Sequence, residues 1–239
     1  MKGVALVTGA GRGLGRILAT FLAGQGYDMV ITARTDTELH DVAQSLESVG
    51  IRVAAIPGDI TEPRQRTRLL QQTRAMGGLS LLVNNASDLG ETPRPELTRA
   101  SLERFRTTLE TNLVAPLALI QEALPQLEQT RGLVVNISSD ASRGGYERWG
   151  IYGSSKAALD LASKTLSAEL KPRHISVVSV DPGDMRTRMH QDAFPGEDVS
   201  DRPLPEITLP FWAWLVGQDP ERISGMRYQA QGTLWEVPA

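Results

Sequence analysis

No cysteine occurs in the 239 residues. That excludes disulfides, a thiolate nucleophile and sulfur-ligated metals, and it leaves redox chemistry silent about compartment. No apolar run approaches the ~20 residues of a membrane span. The chain opens MKGVALVTGAG and reaches a glycine cluster by Gly9, with no room for a signal sequence and its apolar core, so a cytoplasmic location is expected. Neither charge sign dominates: 25 basic against 28 acidic residues give a net charge of -3. This lacks the electrostatic footprint of a nucleic-acid or anionic-membrane binder, and a small, weakly charged partner fits better. Low-complexity segments and linkers are absent. Lysine is scarce, since among the 25 basic residues only Lys2, Lys156, Lys164 and Lys171 are not arginine.

What is present is an ordinary globular composition, 41% hydrophobic and 22% charged, which supports a full-sized core without staples or a structural metal. Short apolar runs recur at 4–8, 28–32, 51–56, 79–84, 132–138 and 174–180. They read as strands buried on both faces, as in a parallel sheet. Between them lie helical patterns; Leu14, Ile17, Leu18, Phe21 and Leu22 form one apolar stripe that Gly24 and Gly26 end. Thr61-Glu62-Pro63 reads as a cap, an acid and a first-turn proline opening a third helix. Two helices are expected within 98–129 and a long one over 151–170. Residues 184–205 form a loop-rich excursion suited to a lid, followed by a helix near 206–217 and a last strand near 223–229. The expected fold is α/β, a single doubly wound parallel sheet with helices on both faces, in one domain spanning 1–239.

Several stretches carry chemistry. TGAGRGLG, residues 8–15, follows the first strand and precedes a helix; the strict G-x-G-x-x-G spacing fails at Leu14, but glycines at 9, 13 and 15 let backbone amides approach a pyrophosphate. Asn and Ser in NNAS (84–87) and NISS (136–139) end two parallel strands, where they either face the ligand crevice or satisfy local turns. Asp59 in GDIT carries the same ambiguity. Pro116 in TNLVAP has no N–H for the carbonyl of Asn112, leaving that oxygen free to hold a water leading to Lys156, or simply kinking a helix. In IYGSSK, Tyr152 and Lys156 stand four apart on one helix face, where a phenol and an ammonium can act together.

Taken in order, TGAGRGLG, NNAS, Asn112, Ser139, YGSSK and PGDMRT resemble the short-chain dehydrogenase/reductase family over residues 3–187. Ser139 stands 13 residues before Tyr152, the family's own spacing. Two departures are visible: Ser87 replaces a glycine, and SGMRYQAQGTLWEVPA replaces the usual carboxyl end. The resemblance implies a Rossmann fold, an oxidoreductase and a catalytic set of Asn112, Ser139, Tyr152 and Lys156, with no metal. It implies nicotinamide-cofactor contacts from Gly9, Arg12, Gly13, Leu14, Gly15, Arg34, Asp59, Ile60, Asn85 and Ala86, and further ones from Tyr152, Lys156, Pro182, Gly183 and Thr187. Thr187 is expected to touch the nicotinamide amide, or else to cap a helix. The family mostly forms dimers or tetramers, so a homodimer or homotetramer is expected.

The chemistry so implied is hydride exchange between the cofactor and a small carbonyl or alcohol substrate. Tyr152 exchanges the proton, Ser139 binds the substrate oxygen and Lys156 is expected to bring the phenol pKa down from ~10. NADP(H) is expected over NAD(H): the second strand runs into Ala33 and Arg34 where an NAD enzyme places an acid, and Arg12 offers a second guanidinium to a 2′-phosphate. Asp36 is the acid near enough to oppose this, so NAD(H) stays possible. Alternative functions are a cofactor-binding redox sensor or scaffold, and a reductase of carrier-protein-tethered 3-oxoacyl groups with Arg143, Arg148, Arg186 and Arg188 as a basic patch. Tyr146 and Trp149 either stack on a substrate ring or belong to the core.

Overall fold

The computed structural model describes residues 2–237. Seven parallel strands lie in the order β3-β2-β1-β4-β5-β6-β7: β1 Val4–Thr8, β2 Asp28–Thr32, β3 Val53–Ala55, β4 Leu79–Asn84, β5 Leu133–Ile137, β6 Ser176–Asp181 and β7 Arg227–Gln229. The order reverses between β1 and β4, and it is there that a doubly wound sheet opens a crevice beyond its carboxyl edge.

The near-continuous apolar strands follow from burial on both faces. Ala5, Val7, Met29, Ile31, Val135 and Val178 pack into one core with α1 (Gly13–Gly24) and α2 (Asp36–Glu47). Their neighbours Val4, Leu6, Val30, Val134 and Val177 point the other way, into a second core with α3 (Pro63–Ala75). Successive strand residues alternate faces, and here both faces are dry. The first core also takes Phe211 from a later helix, ringed by Trp212, Trp214, Tyr228 and Trp235, so the divergent carboxyl end is tied down by aromatic packing. At each strand core position burial of a Val or Leu side chain contributes about 1.5–3 kcal/mol.

Four expectations change in detail. The cap of α3 is Glu62; the Thr61 hydroxyl instead donates to Asp59 Oδ1 at 2.8 Å. The two helices expected over 98–129 form one helical run: α4 (Leu102–Leu109), a π-helical turn at Glu110–Val114 and α5 (Ala115–Thr130). Pro116 cannot serve the Asn112 carbonyl, and the ladder widens so that the Ala115 N–H reaches Glu110 O, five residues back. The excursion at 184–205 contains a short helix, α7 (Arg188–Ala193), with irregular backbone on either side. Beyond α6 (Gly150–Leu170), the helix expected near 206–217 is a 3₁₀ turn leading into α8 (Leu209–Leu215); α9 (Pro220–Ile223) then precedes β7.

Candidate active site

A cleft of about 550 Å³ opens at the carboxyl edge of the sheet, from the β1–α1 turn across to α6 and α7. Its floor at one end is the glycine turn. Gly9 and Gly13 adopt positive φ of 66° and 53°, and a Cβ on Gly15 would lie 2.2 Å from the Gly9 carbonyl oxygen, so these three glycines admit no other residue without strain. Asn85 locks the turn, its amide donating to Thr8 O and Gly9 O at 2.9 and 3.1 Å. No side chain caps the amino end of α1 and no acid sits in its first turn, leaving its N–H groups and dipole directed at an anion such as a diphosphate.

Around this floor the cleft wall includes Arg12, Leu14, Arg34, Asp59, Ile60, Asn85, Ala86, Pro182, Gly183 and Thr187, as well as Ser139, Tyr152 and Lys156. Asp59 spends Oδ1 on the backbone and hydroxyl of Thr61, a local turn within the wall. Thr187 does cap α7, accepting from the His190 N–H at 3.2 Å; this uses an acceptor lone pair and not the O–H donor of a residue that lines the cleft. Trp149 lines the cleft and meets the Tyr152 ring edge-on with centroids 5.8 Å apart, and Tyr146 lines it as a half-exposed phenol.

Other residues behave differently from what their sequence position implies. Asn84 and Asn136 turn away from the crevice and are buried between strands, Asn84 Nδ2 donating to Asn136 Oδ1 at 2.8 Å and Asn136 Nδ2 to Ser163 Oγ at 2.7 Å. Ser138 and Ser139, just beyond the end of β5, line the cleft instead. Asp36 does not line the cleft; the acid of α2 that does is Glu38, in the first turn of that helix, beside the glycine turn.

Asn112 is fully buried behind the cleft wall, in the π-helical turn. Its amide donates to Asp88 O at 2.8 Å and Ser155 Oγ at 2.9 Å, while its Oδ1 accepts from the Asp88 N–H at 2.7 Å and from Ser87 Oγ at 3.1 Å. The serine that departs from the family's glycine therefore has a partner of its own.

Tyr152 and Lys156 share one face of α6, the phenol 9% exposed and the lysine 2%. Lys156 Nζ donates to Ile137 O at 2.8 Å and lies 5.6 Å from the centre of the Tyr152 ring. Burial pulls this ammonium down to about 8, against the upward pull of the Asp160 carboxylate. The expected lowering of the phenol is not found. Burial pushes it above its ordinary value; the Ser87 and Ser139 hydroxyls pull it down, but the Asp181 and Asp140 carboxylates push it further up. Desolvation of the ring is the largest influence, and it outweighs the two hydroxyls that favour the phenolate.

Ser139 is the hinge of a small turn, donating to Asp140 Oδ1 at 3.0 Å and accepting from the Ala141 N–H at 3.2 Å. Behind it lies a residue that the sequence gives no reason to single out. Arg227 on β7 is 12% exposed; it donates through Nη2 to Ser139 O at 2.8 Å and Asp181 Oδ2 at 3.2 Å, and through Nε to Asp160 Oδ2 at 2.9 Å. One guanidinium thus joins β6, β7, α6 and the Ser139 turn. Its only sequence signal is its place on the last strand, which becomes meaningful once that strand is known to lie beside β6.

The model of the family described as short chain dehydrogenase matches residues 3–198. The chain belongs to this family. It is 30% identical over 233 residues to an uncharacterized oxidoreductase of Escherichia coli strain K12, covering 95% of this chain and 91% of that protein. An uncharacterized oxidoreductase of Staphylococcus aureus strain USA300 is 32% identical over 188 residues, covering 77% of this chain and 78% of the relative. Among solved structures, a short chain dehydrogenase of Shigella flexneri complexed with NADP superposes with a TM-score of 0.88 at 29% identity, covering 96% of this chain and 97% of the other. One from Escherichia coli CFT073 complexed with NADPH gives the same score, identity and coverage. The chain is thus an oxidoreductase by family and a Rossmann fold by architecture, and among its described residues no helix is long and apolar enough to cross a membrane.

Proposed function

We propose that this chain is an NADP(H)-dependent carbonyl reductase or alcohol dehydrogenase acting on a small molecule, with Tyr152 as proton donor and acceptor. The observation that carries the reading is the buried Tyr152–Lys156 pair on the wall of the same cleft that holds the glycine turn. The residues present fit the cofactor: a side chain at Gly15 would collide with the Gly9 carbonyl and the Asn85 amide and spoil the turn that approaches a diphosphate, and the Arg34 guanidinium at the ribose end has no acid within ion-pair distance among the described residues. When bound, the nicotinamide supplies the hydride. Ser139 turns its hydroxyl from Asp140 to the substrate oxygen and fixes it, and the Tyr152 phenol, kept protonated by its dry setting, delivers the proton to that oxygen. Lys156 stabilises the phenolate left behind and can also hold ribose hydroxyls. Asn112 acts as a positioning group, tying the loop after β4 to α6 through Asp88 and Ser155; its main-chain oxygen, denied a donor by Pro116, is the proposed start of a water path to Lys156. Thr187 offers its free O–H to the nicotinamide amide, and residues 184–205 act as a lid within one domain.

The relatives complexed with NADP and NADPH support the choice of cofactor. Catalytic efficiency with NADPH is expected to exceed that with NADH, and Ala33→Asp with Arg34→Leu is expected to lower NADPH efficiency about 10- to 100-fold while raising that for NADH, since charge-assisted hydrogen bonds are lost and a repelling carboxylate is gained. Steady-state kinetics with both cofactors across a panel of ketones and quinones tests both the activity and the preference. NADPH binding without turnover on any of them would favour a redox sensor instead. For a carrier-protein substrate the anticipated basic patch is partly offset, since Arg148 pairs with Glu147 and Arg188 with Asp192, both exposed.

The Lys156 environment adds a pH limit. Efficiency for the cofactor reports the free enzyme, in which the ammonium loses its proton near pH 8 rather than in the ordinary lysine range. That efficiency is expected to hold at neutral pH and to decline as pH rises through about 8. A profile level up to pH ~10 would separate Lys156 from cofactor binding.

A further inference from the structure

The ribose end of the cleft is more finely balanced than its two arginines imply. Arg12 Nη1 lies 3.5 Å from Glu38 Oε1, with both side chains part-exposed on the cleft wall. Gly11 eases the approach: a Cβ there would stand 3.3 Å from Glu38 Cβ and 3.4 Å from Glu38 Oε2, so a side chain at position 11 would crowd the first turn of α2 where it meets the glycine turn. Arg34 stands on the same wall and has no such acid partner among the described residues. Two guanidiniums and one carboxylate therefore share the space, and the carboxylate already engages one of the guanidiniums.

We propose that Glu38 is a specificity-determining residue that lowers the discrimination in favour of a 2′-phosphorylated ribose: it occupies Arg12 and must surrender it when such a phosphate binds. This rests on the cofactor reading given above. A 2′-phosphate has to displace the Glu38 carboxylate from Arg12 and then tolerate it as a like-charged neighbour. An unmodified 2′-hydroxyl makes no such demand and can donate to the same carboxylate. One side chain thus acts in opposite directions on the two ligands. Asp36, the acid nearest in sequence to Arg34, lies off the cleft wall and has no part in this.

Adenosine 2′,5′-bisphosphate and AMP isolate this end of the cleft from nicotinamide chemistry, and their dissociation constants by titration calorimetry give a readout without turnover. Glu38→Gln is expected to tighten the bisphosphate about five-fold, the range of an exposed ion pair, while AMP binds the same or more weakly. In an Arg12→Gln background the same substitution should improve bisphosphate binding by about two-fold at most, since the displaced partner is gone. Equal changes for both ligands, weaker bisphosphate binding, or an undiminished gain without Arg12 would each overturn the proposal. Glu38→Ala, whose neutral side chain also leaves Arg12 free, repeats the comparison should the glutamine variant fold poorly. The cofactor reading is judged separately, on the ratio of the two affinities in the unaltered protein, and the role of Glu38 on how that ratio moves.

Discussion

Tyr152→Phe is expected to lower turnover by about a thousand-fold or more while changing the dissociation constant of NADPH by no more than about two-fold. Positioned proton transfer contributes some 10²–10⁴ in rate. The loss should fall toward the upper part of that range here, because the neighbouring donors are engaged elsewhere: Ser139 sends its proton to Asp140, and Lys156 points its ammonium at the Ile137 carbonyl. The ring itself stays, so its packing against Trp149 survives. Stopped-flow or steady-state reduction of whichever carbonyl the panel yields, paired with calorimetric NADPH binding, separates the two effects. A phenylalanine variant running within ten-fold of the parent would remove Tyr152 from the proton-donor role.

Arg227→Met should be the most destabilising single change in the site, at about 3–5 kcal/mol, because two carboxylates lose the guanidinium they share, Asp160 keeping the Ser142 hydroxyl and Asp181 the Gly183 N–H. Asp181 is 3% exposed, and Asp160 Oδ1 is already buried with no partner. For a chain of this length that loss corresponds to roughly 6–20 °C in Tm. Neutralising one carboxylate should recover part of it, so Arg227→Met with Asp181→Asn ought to melt above the single variant. The arginine also holds the Ser139 carbonyl at 2.8 Å, so the surviving folded fraction should show a raised KM for the carbonyl substrate. Arg227→Lys would restore charge but not the fork that reaches three partners, and should fall between the two. A Tm unchanged within a degree or two would mean that the acids find other partners.

Much of this architecture is legible from one-dimensional pattern. A strand buried on both faces must be apolar at every position, so VALVT and DMVIT announce themselves and their observed bounds match the apolar runs. The helix at 151–170 is equally plain and starts one residue earlier, at Gly150. The run from Leu102 to Thr130 was less legible, since a proline in sequence signals a missing donor but not whether the chain breaks, kinks or widens into a π turn. Packing of the turn around Asn112, which is fully buried, decides that.

The sequence by itself determined the parts whose chemistry is local: the glycines that a tight phosphate-approaching turn demands, the order of strands and helices along the chain, and the helical spacing of Tyr152 and Lys156. Only the tertiary structure decided what depends on groups distant along the chain. Burial and the nearby acids, not the lysine four residues away, set the direction of the Tyr152 shift. Strand parity turned Asn84 and Asn136 inward. Glu38 rather than Asp36 reached Arg12 because α2 descends over Gly11, and Arg227 reached Ser139, 88 residues away, because β7 lies beside β6. Desolvation and charge pairing act through space over a few ångströms, and proximity of that kind is fixed by the fold and not by separation along the chain.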